Sequence, residues 1–252
     1  MKLIVLATDS DSTWMLVNSL MPYFPDLKVV LETPIGRATL LKRRLARLGW
    51  WTVAGQVLFM LLLPVLRRSG QQRREALLAA AGLACQAPAI ALQRFASVND
   101  PDCRQWLAAQ DPDVVILNGT RIVSPQVLDS CRAVFLNTHC GITPAYRGVH
   151  GGYWALYQGQ PHLAGVTVHV VDRGIDTGDI IYQSTFTAEP GDNFLTYPVK
   201  QYIAGIPLMQ RALEDIAADK LVRHRRADLT SAVWYHPTLW QYLGARWRRG
   251  VA

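Results

Sequence analysis

Cysteine is scarce and scattered. The four residues Cys85, Cys103, Cys131 and Cys140 include no CxxC pair and no histidine at finger spacing, which excludes a structural zinc site and a disulfide framework. Charge is sparse as well, at 18% of residues against 50% apolar, so the chain is a folded globular one and not a disordered one. Acidic residues are missing altogether between Arg37 and Arg74, a segment that holds nine basic ones. The net charge is +7, so the rest of the chain carries −2. A charge excess confined to one segment argues against a nucleic-acid partner and points to something local. The opening MKLIVLATDSDS has too short an apolar run for a secretory signal, and a cytoplasmic location is expected. No internal repeat is visible, and 252 residues allow one large domain or two modest ones.

An uninterrupted spanning run is absent too. The stretch Gly49 to Leu66, GWWTVAGQVLFMLLLPVL, has arginines on both sides but is broken by Gln56 and Pro64, which makes it marginal beside the roughly 20 apolar residues a span needs. Three readings stay open. It is a membrane span, a helix capping the core, or a surface helix dipping into anionic lipid with tryptophans at headgroup level and arginines on phosphates.

Elsewhere the periodicity is plain. Lys2 to Thr8, Leu27 to Leu31, Ile90 to Phe95, Val114 to Leu117 and Ala133 to Leu136 read as short strands, with helices over Trp14 to Met21, over Cys103 to Ala109 and from Ser124-Pro125. Such alternation predicts an α/β fold with a doubly wound, mostly parallel, Rossmann-like sheet, whose ligands sit at the carboxyl ends of strands. From Gly165 the texture changes. GVTVHVV and IIYQSTF each alternate around the loop DRGIDTGD, which predicts an antiparallel pair, and Tyr197 to Ala217 has helical spacing. The Trp- and Arg-rich tail stays unassigned.

One strand ends in FLNTHCGITPAYRG, with a single residue between Asn137 and His139. An asparagine amide donates without titrating, which suits a carbonyl oxygen gaining charge, and a histidine takes or gives a proton near neutral pH. If the DRGIDTGD loop meets that strand end, Asp176 would orient or charge the imidazole. The trio then fits acyl transfer to an amine without a covalent enzyme intermediate. Each residue alone also has an ordinary reading: a turn-forming Asn, a hydrogen-bonded core His, a hairpin Asp. Cys140 is a candidate nucleophile, but neighbours on one strand point opposite ways.

Taken jointly, the motifs resemble the 10-formyltetrahydrofolate-dependent formyltransferase family. The resemblance is carried by Asn137, His139, Pro144 and Gly148 in NTHCGITPAYRG, and by Asp176 and Gly178 in VDRGIDTGDII. It implies that Asn137 binds the formyl oxygen, that His139 is the acid/base and oxyanion stabiliser, and that Asp176 supports it. It also implies a folate pocket from Arg121, Ile122 and Val123 on one side and Gly174, Ile175 and Asp176 on the other. The implied organisation is a catalytic α/β domain over residues 1–190, with a basic apolar helical insert at about 37–75, and a helical extension over 191–252 packed on it. Two departures stand out. The loop after the first strand reads TDSDS, where a glycine-rich phosphate loop is usual in the ribonucleotide enzymes, and its Asp9 and Asp11 are expected to repel a phosphate. Gly141 stands where Ser is common, which implies a looser loop. With no room for a tRNA-binding barrel after residue 187, the expected acceptor is a small-molecule amine, an amino sugar on a nucleotide or lipid. Hydrolysis of the cofactor and a non-catalytic folate-binding or membrane-associated module are the alternatives. Peripheral membrane contact through 37–75 and a homodimer are left open.

Overall fold

The computed structural model describes all residues from Met1 to Ala252. Its first strand, β1 (Leu3–Ala7), is buried along its whole length, as a short apolar run must be when helices cover both faces of a parallel sheet. Helix α1 (Asp11–Leu20) follows, started by the Ser10 side chain, which accepts from the Thr13 N–H, and by Asp11 in the first turn. Next come β2 (Lys28–Glu32), α2 (Arg37–Ala80), β3 (Leu92–Phe95), α3 (Pro101–Gln110), β4 (Val114–Asn118), α4 (Pro125–Leu128) and β5 (Val134–His139). The remainder contributes β6 (Arg147–Gly148), α5 (Gly151–Tyr157), β7 (Gly165–Val170), β8 (Ile180–Thr185), α6 (Tyr197–Ala217), β9 (Val233–Trp234) and α7 (Leu239–Arg249).

Seven strands make one sheet in the order β3-β2-β1-β4-β5-β7-β8. The first five run parallel, and β7 and β8 are antiparallel to their neighbours. This is the doubly wound α/β fold expected from the alternating pattern, with the antiparallel pair where GVTVHVV and IIYQSTF place it. Strand winding reverses at β1 and β4, and a crevice opens beyond the carboxyl ends at such a point. Strand alternation sorts the core into two layers. Leu3, Val5 and Ala7 pack with α1 and α6, whereas Ile4 and Leu6 pack with Cys103 and Leu107 of α3.

The insert is one 44-residue helical element, bent at Gly49, whose φ of 76° and ψ of 161° leave the helical region. Beyond the bend, Val53, Gln56, Phe59, Leu66 and Gly70 form a buried stripe. The Phe59 ring meets Phe194 edge-on at 4.9 Å and Tyr242 of α7 at 5.0 Å. Gly55 lies so close to Trp240 that a Cβ there would sit 2.2 Å from the indole. The Gln56 amide donates to the His236 carbonyl at 2.8 Å. Arg73 ties the far end down to Asp192 at 2.9 Å and to Glu189. One side of α2 is therefore packed onto the α/β body, as a capping or surface helix would be. A helix spanning a bilayer would have to give up the Gln56 hydrogen bond and the Arg73 ion pairs.

Phe59→Ala removes a ring that is 1% exposed. The expected loss is about 3–5 kcal/mol of stability, read by urea unfolding, and an unchanged midpoint would show that α2 adds nothing to the fold.

Candidate functional site

Asn137 and His139 lie two residues apart on β5 and so project from the same face at the strand's carboxyl end. Asp176 reaches them from the loop between β7 and β8. That loop is folded by a different carboxylate: Asp172 accepts from the Gly174 N–H at 3.0 Å and from the Thr177 hydroxyl at 2.7 Å. Thus Asp172 makes the turn, and Asp176, at φ 51°, is turned inward. Gly178 closes the loop, since a Cβ there would stand 1.7 Å from the Val170 carbonyl oxygen.

The Asp176 carboxylate is the meeting point. One oxygen lies 3.4 Å from His139 Nδ1 and accepts from the Gly148 N–H at 2.9 Å. The other lies 3.6 Å from His169 Nε2 and accepts from the Asn137 amide at 3.4 Å. His139 Nε2 faces the Tyr146 carbonyl at 2.6 Å. A carbonyl only accepts, so Nε2 carries the hydrogen, and in the neutral ring Nδ1 is the basic nitrogen turned to Asp176. Tyr146 therefore sets the tautomer. Burial would raise the Asp176 pKa, but His139, the His169 hydrogen bond and the Gly148 N–H outweigh it and hold the group at about 2. Burial lowers His139 below its ordinary value, opposed by the Asp176 charge and the Tyr146 carbonyl. The result is a neutral imidazole beside an ionised carboxylate.

Cys140 is no rival nucleophile. Burial, with the Asp176 charge, pushes its thiol up to about 12, leaving it protonated. The expectation for Gly141 is corrected. A Cβ there would lie 2.2 Å from the Tyr146 carbonyl oxygen and 2.7 Å from His139 Nε2, so the glycine brings that carbonyl onto the imidazole and does not loosen the loop.

A cleft of about 560 Å³ opens over these groups, well within the size of small-molecule sites. Arg121, Ile122 and Val123 line it, as do Gly174, Ile175 and Asp176, so every residue expected at the folate pocket borders the same space as Asn137 and His139. Leu117, Ile122 and Val171 supply apolar wall. The backbone N–H and carbonyl of Val123 make no hydrogen bond within the chain and are free to meet a ligand's polar edge. The Arg121 side chain is otherwise engaged: its guanidinium pairs with buried Glu32 at 2.7 Å and donates to the Thr33 and Ala96 carbonyls. It holds the loop in place, and the backbone of the segment is what borders the cleft. A larger cavity of about 900 Å³ near Glu189 and the C-terminus shares none of these residues.

Sequence reasoning missed several members. His169 is one, and the signal for it was the alternation of GVTVHVV, which sets it opposite Asn137 in the β5–β7 register. Its Nδ1–H donates to the Val170 carbonyl at 2.9 Å, leaving Nε2 toward Asn137 and Asp176. The tail is another. β9 pairs with β6, and a Cβ at Gly148 would lie 2.4 Å from the Trp234 carbonyl, so the strand from the unassigned tail clamps the residue that donates to Asp176. His150 borders the cleft and meets the His236 ring at 2.9 Å. The TDSDS loop also differs from expectation. Asp9 accepts from the Trp14 indole, Asp11 pairs with Arg74 at 2.6 Å, and Arg67 and Arg74 line the adjoining cavity, so the Asp11 charge is offset by arginine and only the Asp9 charge has no cation beside it.

Comparison with known proteins adds to this geometry. A family model described as formyl transferase matches residues 70–213, more than half of the chain. Among curated relatives, a methionyl-tRNA formyltransferase from Chlorobium chlorochromatii is 34% identical over 121 residues, 48% of this chain and 38% of that protein. A phosphoribosylglycinamide formyltransferase from Mycobacterium tuberculosis is 42% identical over 87 residues, 34% of this chain and 40% of that one. The chain spans about half or less of the curated relatives it matches. Two solved structures show the likeness of fold. The sugar N-formyltransferase from Shewanella has a TM-score of 0.58 at 13% identity, over 93% of this chain and 76% of that one. An N-formyltransferase from Helicobacter canadensis, in complex with folinic acid and dTDP-3-aminofucose, has a TM-score of 0.56 at 14% identity, over 93% and 70%.

Two measurements follow from the electrostatics. His139, His150 and His236 all have folded-state pKa values lowered by burial, His236 to about 4. Below the ordinary histidine value of 6.5 the unfolded chain binds more protons than the folded one, so stability is expected to fall as pH drops from 7 toward 4. Asp176, held at about 2, adds to the loss only at lower pH. Chemical denaturation across this range tests it, and constant stability would contradict the buried neutral rings. In Asp176→Asn, the charge that raises His139 is gone, so its NMR titration midpoint should move further down; an upward move would break the assigned contact.

Proposed function

The chain belongs to the formyl transferase family, and on that premise we propose that it moves a formyl group from 10-formyltetrahydrofolate to the primary amine of an amino sugar carried on a nucleotide or a lipid. The observation that carries this reading is the convergence of Asn137, His139 and Asp176 at one end of a cleft whose other walls are the two segments expected to hold a folate. The walls fit such a group: apolar surface for a flat ring, and free backbone donors and acceptors for its edge.

The folate supplies a formyl group bound to nitrogen. As the amine adds to the formyl carbon, the Asn137 amide donates to the oxygen that gains negative charge. His139 Nδ1 is the base on the same side of the cleft. It takes the proton that the amine sheds and becomes an imidazolium, with Nε2–H still on the Tyr146 carbonyl and Nδ1–H now on Asp176. The ionised carboxylate stabilises that cation where burial alone would oppose it. His139 then gives the proton to the folate nitrogen as its bond to the formyl carbon breaks, leaving tetrahydrofolate and the formamide. Protons balance, and no covalent enzyme intermediate forms.

The acceptor reading rests on the size of the cleft, about 560 Å³, which suits a small molecule. A cytoplasmic enzyme, working in solution or at an inner membrane face, fits the resemblance and the basic insert.

Purified protein given 10-formyltetrahydrofolate and a panel of amino sugars should release tetrahydrofolate only with the right amine. His139→Ala should lower turnover by about 10²–10⁴-fold. Formate release with no amine would replace transfer by hydrolysis, and undiminished turnover in His139→Ala would remove the mechanism.

A further inference from the structure

One surface is left over by the folding of α2. Its buried stripe faces the α/β body, and the opposite face is apolar and in the open: Trp50 is 71% exposed, Leu61 70% and Val65 60%. Helix α7 extends this face. Trp240, Leu243 and Trp247 follow one another at helical spacing on its outer side, Trp247 at 84% exposure, while Tyr242 and Ala245 are buried behind them. The two helices are joined at the surface, since Trp51 stacks on Trp240 at 4.8 Å with 22° between the rings. Soluble proteins rarely leave a joined apolar face of this kind without a partner.

The rim identifies the partner. Of the nine basic residues between Arg37 and Arg74, only Arg73 and Arg74 pair with acidic side chains, and Arg67, Arg68 and Lys42 stand exposed along α2. In the last turn of α7, Arg248 adds charge, whereas Arg246 and Arg249 turn to the other side, toward the Tyr242 hydroxyl and the Tyr157 carbonyl. A second copy of the chain docking here by two-fold symmetry would set these cations against themselves. An anionic lipid surface offers the opposite charge at the rim and hydrocarbon at the centre, with tryptophans suited to the boundary between them.

We propose that α2 and α7 together form a platform that lies in the plane of an anionic bilayer, with Trp50, Leu61, Val65 and Trp247 entering the interface and the arginines on lipid phosphates. The platform lies flat because its other side is packed on the body through Phe59, Gln56 and the Arg73 ion pairs. It also adjoins the cleft. Gln56 donates to the His236 carbonyl, the His236 ring meets His150, and His150 borders the site. The packed side of the platform is thus linked to the cleft through Gln56, His236 and His150, and the acceptor is an amino sugar on a lipid. Docking rests on the surface alone, whereas the lipid-linked acceptor rests on the formyl-transfer reading.

Flotation with vesicles of phosphatidylcholine, with and without phosphatidylglycerol, tests the docking. Wild type should float only with the anionic lipid and should be released by high salt. The double variants Leu61→Glu with Val65→Glu, and Arg67→Glu with Arg68→Glu, should each lose about tenfold or more in partitioning, at unchanged circular dichroism. No flotation at low salt overturns the proposal. So does a dimer in sedimentation that Leu61→Glu with Val65→Glu dissociates while wild type fails to float, and so does retention on vesicles through alkaline carbonate, the mark of a spanning helix. In parallel, turnover is compared for a free amino sugar and for its long-chain alkyl glycoside in anionic vesicles. Preference for the glycoside, lost in the Leu61→Glu with Val65→Glu variant while turnover of the free amine persists, supports the lipid-linked acceptor. Flotation without turnover of either amine refutes formyl transfer and leaves docking standing; equal turnover of both refutes the lipid-linked acceptor.

Discussion

The site is organised around a single buried carboxylate. Burial opposes the charge of Asp176, and the Asn137 amide and the Gly148 N–H donate to it while the His139 and His169 rings stand beside it. Those partners come from separate parts of the chain: β5 brings Asn137 and His139, β7 brings His169, and β6 brings Gly148. Loss of any one would leave a charge short of compensation where water does not reach freely, which is the costly case for a buried ion. In the proposed reaction that carboxylate waits beside a neutral ring, which it stabilises once the ring takes a proton.

Support for the carboxylate reaches into the last part of the chain. β9 holds β6 in place, the Trp234 indole donates to the Ala145 carbonyl at 2.9 Å, and its ring stacks on Trp154 at 4.9 Å. Trp154 belongs to an aromatic core with Tyr146, Phe194, Tyr242 and Phe59, so the same packing that positions the Tyr146 carbonyl also seats α2. The insert is tied to the site by this shared core, and its outward face is free for another surface.

Short parallel strands were legible because each is a run of β-branched or apolar residues covered on both faces, and the helix over Tyr197 to Ala217 because one face repeats at helical spacing. Boundaries drifted by up to three residues where caps, not periodicity, set the end, as at Ser10 before α1. The tail could not be assigned, since Trp240 and Trp247 face outward and only Tyr242 and Ala245 mark a buried side. The helix they form makes sense as a neighbour of α2, a contact between residues far apart in sequence. His169 was hidden in the same way, as one polar residue in an alternating strand until the register set it opposite Asn137.

The chain alone determined the kinds of groups available and their local placement: Asn137 and His139 on one strand face, a carboxylate in a tight loop, and a basic apolar segment without acids. Local rules suffice there, because strand alternation, turn chemistry and charge counting involve near neighbours only. Tertiary structure decided which nitrogen of His139 is basic, that Gly141 must be bare, that Asp11 is compensated by Arg74, and that α2 lies along the body. Each of those depends on a contact between distant residues, and a hydrogen bond or a burial cost exists only once both sides have been brought together.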